Sequence, residues 1–279
     1  MMSDSNGALN IAHRGFRSIA PENTLIAARK AHESGADMWE LDVQLSRDGV
    51  PVVFHDDTLE RTTDVTQRPE YDPRRPWPVH AFDLSELKGL DAGSWFVKTD
   101  PFGRIAAGQV ASVELDSYIG AEIPTLEEAL ILTRDLNWRV NVEIKDLKDQ
   151  PGHDRVVQMV ASLVNRLGMS DRVLYSSFNP DYVRELGRLA PDNVRAVLVE
   201  DRVEDPVGLV RDAGAQAYHP AAWVIDPSDI IGLKRQGVMV NVWTLNLEKD
   251  IRLFLEAGAN GIITDFPDDL RRILNGKPA

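Results

Sequence analysis

Short apolar runs alternate with longer amphipathic segments along most of the chain, which is the pattern of an α/β protein with parallel strands. The apolar runs predict strands at Leu9–Ala12, Met38–Leu45, Pro51–Phe54, Arg139–Ile144, Val173–Ser177, Val194–Val199, Gln216–Tyr218, Val238–Thr244 and Gly261–Thr264. The amphipathic segments predict helices at Asn23–Ser34, Leu126–Asp135, His153–Leu167, Pro180–Leu189, Pro206–Ala213, Pro227–Gln236, Glu248–Ala257 and Asp268–Leu274. A chain of 279 residues is long enough to form one large barrel from these elements.

One predicted strand does not belong to this alternation. Asp48-Gly49 stands between two strand-like runs, and Asp-Gly is a strong hairpin signal. Pro51–Phe54 is therefore expected to return antiparallel to the strand before it. Eight parallel strands remain, the number in a TIM (β/α)8 barrel, and we predict a single catalytic domain over residues 8–275. An open doubly wound sheet is disfavoured because no G-x-G-x-x-G sequence follows the first strand.

The segment 57–123 interrupts the alternation of strands and helices. Four prolines lie between Arg68 and Pro78, and glycines are frequent after Lys88. A long irregular stretch inside a compact domain is usually a functional loop or a small insertion. We predict an insertion subdomain over one face of the barrel. Its aromatic residues are expected to form either a small core or an apolar groove, and they are Trp77, Phe82, Trp95, Phe96 and Phe102.

Carboxylates occupy one face of two predicted strands. Successive side chains of a strand point to opposite faces, so Glu40 and Asp42 share a face of the second strand, and Glu143 lies on the corresponding face of a later strand. Carboxylates directed into a barrel need cations, hydrogen bonds or a metal, because a buried unpaired charge is costly. Three of them suit Mg²⁺ or Ca²⁺. The alternative is a structural ion-pair network with Arg14 and Lys145.

Two histidines stand where TIM-barrel active sites form, at the carboxyl ends of strands. His13 ends the first strand, and His55 ends the hairpin's return strand, where Asp56 is expected to support His55 or the loop rather than bind the metal. Two imidazoles beside a metal can act as general acid and general base. We interpret His55 as the base and His13 as the acid. Arg14 and Lys145, discussed above as ion-pair partners, can instead bind a phosphate, and Trp243 is expected to line the pocket wall.

Composition limits the partners of the chain. The formal net charge is −13, which disfavours nucleic acid and anionic membranes, so we expect a small-molecule substrate. Cysteine is absent, which excludes disulfides and thiolate metal sites. The first seven residues lack the basic and apolar regions of a secretory signal, and no apolar run is long enough for a membrane span. A cytoplasmic protein is expected, and its oligomeric state stays open.

Several fragments, taken in order and spacing, resemble the glycerophosphodiester phosphodiesterase family. The resemblance extends from Ile11 to Leu270. Its fragments are Ile11-Ala12-His13-Arg14-Gly15, Pro21-Glu22-Asn23-Thr24, Glu40-Leu41-Asp42-Val43, His55-Asp56-Asp57-Thr58-Leu59-Glu60-Arg61-Thr62-Thr63, Ile123-Pro124-Thr125-Leu126-Glu127-Glu128, Val142-Glu143-Ile144-Lys145, Ser176-Ser177-Phe178-Asn179-Pro180, Val242-Trp243-Thr244 and Ile263-Thr264-Asp265-Phe266-Pro267.

The resemblance implies a TIM barrel with an insertion after the His-Asp pair and metal-dependent hydrolysis of a glycerophosphodiester. The products would be sn-glycerol 3-phosphate and an alcohol such as choline or ethanolamine, which places the enzyme in lipid and glycerol metabolism. The implied metal ligands are Glu40, Asp42 and Glu143. The implied acid–base residues are His13 and His55, and the implied phosphate-binding residues are Arg14 and Lys145.

Two other functions fit the same scaffold. A lysophospholipase D or sphingomyelinase D-type enzyme would cleave a lipid and would need an apolar groove for its acyl chain. A barrel that has kept the fold and lost catalysis would bind a phosphate compound without hydrolysing it. The second alternative is disfavoured because every expected metal, acid–base and phosphate-binding residue is present.

Overall fold

Nine strands form one continuous sheet in the computed structural model, which describes residues 7–276. The strands are β1 (Leu9–Ala12), β2 (Met38–Leu45), β3 (Pro51–Val53), β4 (Arg139–Ile144), β5 (Val173–Ser177), β6 (Arg195–Val199), β7 (Ala217–Pro220), β8 (Met239–Val242) and β9 (Gly261–Thr264). The sheet closes because β1 pairs with both β2 and β9. The expectation about a secretory signal concerns mainly residues 1–6, which lie outside the described part.

Eight of the strands are parallel and form the closed barrel, as predicted. The ninth strand, β3, pairs antiparallel with the second half of β2, with Val43 opposite Val53. The hairpin predicted from Asp48-Gly49 is therefore confirmed. The first half of β2 pairs with β1, so β3 takes the place of β1 beside the second half. This exchange of neighbours brings the chain after β3 back to the carboxyl end of the barrel.

Most helices follow the parallel strands and cover the outside of the barrel, and three short ones belong to the segment 57–123. They are α1 (Leu25–Glu33), α2 (Leu84–Leu87), α3 (Ser94–Thr99), α4 (Ser112–Tyr118), α5 (Leu126–Asp135), α6 (Val156–Arg166), α7 (Pro180–Leu189), α8 (Pro206–Asp212), α9 (Pro227–Arg235), α10 (Glu248–Glu256) and α11 (Pro267–Leu274). Local sequence sets where they begin: Thr24 caps α1 through the N–H of Ala27, and Thr125 caps α5 through the N–H of Glu128. In the described residues, no helix is both long and apolar enough to cross a membrane.

The main core lies between the barrel and its helices. Strand residues of one parity, such as Trp39, Leu41 and Val142, are fully buried there against α5 and α6. The strand side chains of the opposite parity point inward, and some of them are polar, such as Glu40 and Asn141. The alternation that predicted the strands therefore separates an apolar outer layer from a polar interior.

The segment 57–123 contains short helices that the sequence pattern did not predict. Besides α2, α3 and α4 it has 3₁₀ helices at Val65–Gln67, Pro69–Arg74 and Val79–Ala81. Two apolar clusters support it, and one of them joins Phe54 of the barrel to Phe82. Such short helices lack the length over which a helical period is recognisable. The domain bounds, 8–275 for the barrel and 57–123 for the insertion, stay predictions.

Candidate active site

The three predicted metal ligands converge at the carboxyl end of the barrel. Asp42 on β2 stands opposite Glu143 on β4, and Glu40 lies two residues earlier on β2. One oxygen from each carboxylate lies within 4.8 Å of the others. All three side chains are buried, with Asp42 only 1% exposed. We call these residues, Glu40, Asp42 and Glu143, the acidic cluster.

The hydrogen bonds of the acidic cluster are incomplete. Oε2 of Glu40 accepts the backbone N–H of Arg14 at 2.9 Å, whereas its buried Oε1 has no hydrogen-bond partner among the described residues. Burial, and then repulsion from Asp42 and Glu143, raises the pKa of Glu40 well above its usual value. A divalent cation would relieve both conditions, because Mg²⁺ and Ca²⁺ prefer carboxylate oxygens. The residues present therefore fit a hard divalent ion.

Two cations balance part of this negative charge. Nζ of Lys145 lies 2.9 Å from Glu143 Oε1 and 3.6 Å from Asp42 Oδ1, and Nε of Arg14 lies 3.5 Å from Asp42 Oδ2. Burial acts to raise the pKa of Asp42, but the charges of His55, Lys145 and Arg14 outweigh it and the pKa falls well below its usual value. Among the described contacts, these two cations pair with Asp42 and Glu143 and not with Glu40, so the cluster still offers a carboxylate to a further cation.

A tight turn after β1 directs Arg14 towards the acidic cluster. Arg14 adopts a left-handed backbone with φ of 54°, which is uncommon for a residue with a side chain. The next residue, Gly15, has φ of 80°, and a Cβ atom there would lie 2.7 Å from the backbone carbon of Ala27. Glycine is therefore required where the turn packs on α1. The turn places the N–H of Arg14 on Glu40.

Glu22 joins three arginines beside the site. Its two carboxylate oxygens accept hydrogen bonds from Arg14 at 2.7 Å, from Arg17 at 2.8 Å and from Arg61 at 2.7 and 3.1 Å. Burial acts to raise the pKa of Glu22, but the guanidinium charges lower it well below its usual value. Neither Glu22 nor Asn23 caps α1, since Thr24 is the cap, and Asn23 donates to Asp42 at 2.8 Å.

His13 is oriented by a carboxylate from the far end of the chain. Its Nδ1 lies 2.7 Å from Oδ1 of Asp265, which follows β9. Burial, and then the charge of Arg14, lowers the pKa of His13 to about 4, although the contact with Asp265 acts in the opposite direction. An Nδ1–H donated to Asp265 leaves Nε2 as the nitrogen available for proton transfer.

His55 has an equivalent partner close in sequence. Its Nδ1 lies 2.6 Å from Oδ1 of Asp56, as expected from their adjacency. Arg61 in turn donates to both oxygens of Asp56, at 2.5 and 2.9 Å. The hairpin explains why His55 is near the acidic cluster, since the N–H of Phe54 donates to the carbonyl of Asp42 at 3.0 Å. Each histidine thus has a carboxylate that fixes its ring.

A cavity of about 570 Å³ brings most of the predicted site residues together. Its volume is within the range of roughly 300–1,000 Å³ usual for small-molecule sites. Seven of the eight predicted site residues line it, and these are His13, Arg14, Glu40, His55, Glu143, Lys145 and Trp243. The eighth, Asp42, lies buried behind this lining. The individual roles of these residues stay predictions.

His219 marks the limit of the cavity. It is fully buried, and its Nε2 lies 2.8 Å from Nδ2 of Asn241, so it does not reach the substrate space. Its backbone carbonyl accepts the indole N–H of Trp243 at 2.8 Å. His219 therefore supports the wall of the cavity from behind.

A closed parallel barrel with carboxylates, histidines and cations at the carboxyl ends of its strands defines an enzyme of the TIM-barrel class. A sequence model described as the glycerophosphoryl diester phosphodiesterase family matches residues 13–269. The chain belongs to this family. The family and the fold predicted from the sequence are thereby confirmed, and so is the enzyme class, a phosphoric diester hydrolase acting on glycerophosphodiesters.

Individual relatives agree with this assignment. The chain is 35% identical to a glycerophosphodiester phosphodiesterase of Caldanaerobacter subterraneus, over 94% of this chain and 96% of the relative. It is 33% identical to a glycerophosphodiester phosphodiesterase of Bacillus altitudinis, over 92% of this chain and 94% of the relative. A phosphodiesterase of Oleispira antarctica, solved with the product sn-glycerol-3-phosphate, matches at a TM-score of 0.80 and 27% identity, covering 95% of this chain and 96% of that chain.

Proposed function

We propose that the acidic cluster holds a divalent cation and that His13 and His55 share the acid–base work of hydrolysing glycerophosphodiesters to sn-glycerol 3-phosphate and an alcohol. One observation carries the proposal. Two carboxylates of the cluster, both histidines, Arg14 and Lys145 line the same cavity, and Asp42 adjoins it. The product complex of the Oleispira antarctica relative supports the choice of product.

The metal is either Mg²⁺ or Ca²⁺. Carboxylates without nitrogen or sulfur donors favour such hard ions over zinc or copper. A divalent ion at this position would lower the pKa of a nearby hydroxyl or water and would offset charge on the phosphate. The chain itself supplies further cations for the phosphate, Arg14 and Lys145, which line the same cavity.

The protonation state of His13 bears on which histidine accepts a proton during the reaction. A pKa of about 4 leaves its imidazole neutral near pH 7, which is the state required of a proton acceptor. This supports His13 as a proton acceptor, the reverse of the role suggested for it by sequence alone. The carboxylates of Asp265 and Asp56 stabilise whichever imidazole becomes charged during the reaction.

A lipid-cleaving alternative receives less support from the insertion. Three of the five candidates for an acyl groove, Trp77, Phe82 and Phe96, are at most 4% exposed and belong to apolar clusters. The other two, Trp95 and Phe102, are partly buried and pack against one of these clusters. They behave as the small core that a subdomain requires. We therefore favour a substrate without an acyl chain. We also propose that the enzyme acts in the cytoplasm, since a protein free of cysteine needs no oxidising environment.

The proposal is tested by measuring sn-glycerol 3-phosphate release from glycerophosphocholine and choline release from lysophosphatidylcholine. The protein is treated with EDTA and then supplied with Mg²⁺ or Ca²⁺. We expect metal-dependent hydrolysis of glycerophosphocholine, its loss in E40Q, and its retention in E60Q, which alters an exposed glutamate. Faster cleavage of lysophosphatidylcholine would favour the lipid-cleaving alternative, and no hydrolysis with either ion would favour the inactive barrel.

A further inference from the structure

The cavity has a second, chemically different end. Away from the acidic cluster it is lined by Phe178, Trp243, Glu200 and Asp146. Glu200 follows β6 and Asp146 follows β4, and both side chains are exposed to solvent. The catalytic end is buried, so this outer end is where a substrate group meets water.

Three aromatic rings pack in a row at the outer end, where Phe178 and Trp243 line the cavity and Trp223 packs against Trp243. The ring of Phe178 stands at 90° to that of Trp243, with centroids 5.7 Å apart, and Trp223 stands at 78° to Trp243 at 5.4 Å. We call Phe178, Trp223 and Trp243 the aromatic wall. Trp223 is 68% exposed, which is unusual for so large an apolar ring. Mutually perpendicular rings offer faces in more than one direction, which suits a rounded cation.

Hydrogen bonds hold this wall in place. The N–H of Trp243 donates to the carbonyl of Pro220 at 3.1 Å, and the carbonyl of Trp243 accepts the N–H of Ala222 at 2.6 Å. The indole N–H of Trp223 donates to the carbonyl of Glu200 at 3.2 Å. The loops after β6, β7 and β8 are thereby joined, so the wall and Glu200 are arranged before a substrate arrives.

The two carboxylates at this end have no cation of their own among the described contacts. Asp146 accepts from the side chain of Asn179 at 2.9 Å and from the N–H of Lys148 at 3.1 Å, and no ion pair is formed by Glu200 in the described part of the chain. The nearby Arg202 pairs with Asp226 and Asp229 instead. Negative charge at this end therefore faces the cavity without local compensation.

The cavity is thus polarised along its length. Arg14 and Lys145 attract an anion at the inner end, whereas Glu200 and Asp146 attract a cation at the outer end. Phe178 also lines the cavity, and Nζ of Lys145 lies 5.9 Å from its ring centroid. A substrate that matches this arrangement carries a phosphate and, a few bonds away, a positive charge.

We propose that the outer end is a subsite for a quaternary ammonium group on the leaving alcohol, formed by Glu200, Asp146 and the aromatic wall. This inference rests on the proposed function, since it assigns the leaving group of that reaction. The glycerol half of the substrate, which is rich in hydroxyl groups, matches the carboxylates at the inner end of the cavity. The leaving alcohol of the substrate is therefore left to occupy the outer end. Methylated ammonium is preferred to primary ammonium, because aromatic faces bind weakly hydrated cations best.

The test compares kcat/KM for three esters that release the same sn-glycerol 3-phosphate: the choline, ethanolamine and glycerol esters. We expect the choline ester to exceed the neutral glycerol ester by about tenfold, as a carboxylate and cation–π contacts together allow. E200Q should reduce this preference several-fold. E204Q, the same change at an exposed glutamate outside the cavity, should keep it.

Inhibition by tetramethylammonium gives a second readout with the glycerol ester as substrate. It should be competitive with the wild-type protein and weaker with E200Q, while sodium at the same ionic strength should not compete. Equal kcat/KM for all three esters, or an unchanged preference in E200Q, would overturn the subsite and leave the proposed function standing. Failure to release sn-glycerol 3-phosphate from any ester would overturn the proposed function itself, and the subsite with it.

Discussion

His13 and Asp265 lie 2.7 Å apart across the seam where β1 meets β9, the last strand of the barrel. Closing the barrel is therefore also what supplies His13 with its carboxylate. The contact fixes the ring and acts to raise the pKa of His13 against the effect of burial. Asp265 itself does not line the cavity, so it acts through the histidine.

Removing this carboxylate should slow catalysis more than it weakens binding. In D265N, we expect kcat to fall by about 10–100-fold, the usual effect of losing an orienting partner, with KM changed little. The exposed Asp171 offers a matched control, and D171N should keep wild-type kinetics. A D265N variant with normal kcat would show that the orientation of His13 does not depend on Asp265.

Loss of Glu22 should affect stability. In E22Q, three guanidinium groups lose their shared carboxylate, two of them from side chains less than 20% exposed. Breaking a buried pair by removing one partner typically costs about 3–5 kcal/mol, so the unfolding free energy in urea should fall by a similar amount. A loss below about 1 kcal/mol, as for a surface ion pair, would mean that water replaces these contacts.

The acidic cluster should oppose folding when no metal is bound. Burial and mutual repulsion raise the pKa of Glu40, so E40Q should increase the unfolding free energy of the metal-free protein by about 1–2 kcal/mol. Adding Mg²⁺ or Ca²⁺ should raise the Tm of the wild type, because a ligand that binds only the folded state stabilises it. The Tm of E40Q should rise much less when the ion is added. An equal rise in Tm for the wild type and E40Q would show that the ion binds elsewhere.

His219 should make stability depend on pH. Burial lowers its folded pKa from 6.5 to about 3, so the unfolded state binds the extra proton between these values. The contribution of His219 to the free energy of unfolding is therefore complete above pH 6.5. As the pH falls to about 5, the free energy of unfolding decreases by about 2 kcal/mol. H219Q should show a shallower slope in urea unfolding between these pH values. H153Q, at an exposed histidine, should keep the wild-type slope, and identical slopes in all three proteins would exclude this role for His219.

The sequence predicted those features that depend on local pattern. Strand parity placed Glu40 and Asp42 on the inward face, and Asp48-Gly49 predicted the hairpin that returns His55 to the site. Asp56 was expected to support His55 or the loop, and it contacts His55. Each of these inferences requires only the alternation of a strand or the geometry of a turn.

Contacts that arise from barrel closure could not be predicted in this way. Asp265 is 252 residues from His13, and only the register of β9 beside β1 brings them together. Arg61 meets Glu22 through the folding of the inserted segment, which has no recognisable period. Glu22, Arg61 and Asp265 all lie in fragments that resemble the family, but that resemblance does not identify their partners.

The central claim is that the acidic cluster binds a divalent ion beside the reacting phosphate. A crystal structure of the protein with sn-glycerol 3-phosphate and either Mg²⁺ or Ca²⁺ tests it most directly. We expect one ion within about 2.0–2.6 Å of oxygens of Glu40, Asp42 and Glu143, with the phosphate against Arg14 and Lys145. Metal–oxygen distances near ~2.1 Å identify Mg²⁺ and those near ~2.4 Å identify Ca²⁺. An ion bound elsewhere, with the three carboxylates paired only to Arg14 and Lys145, would contradict the claim and indicate a structural ion-pair network.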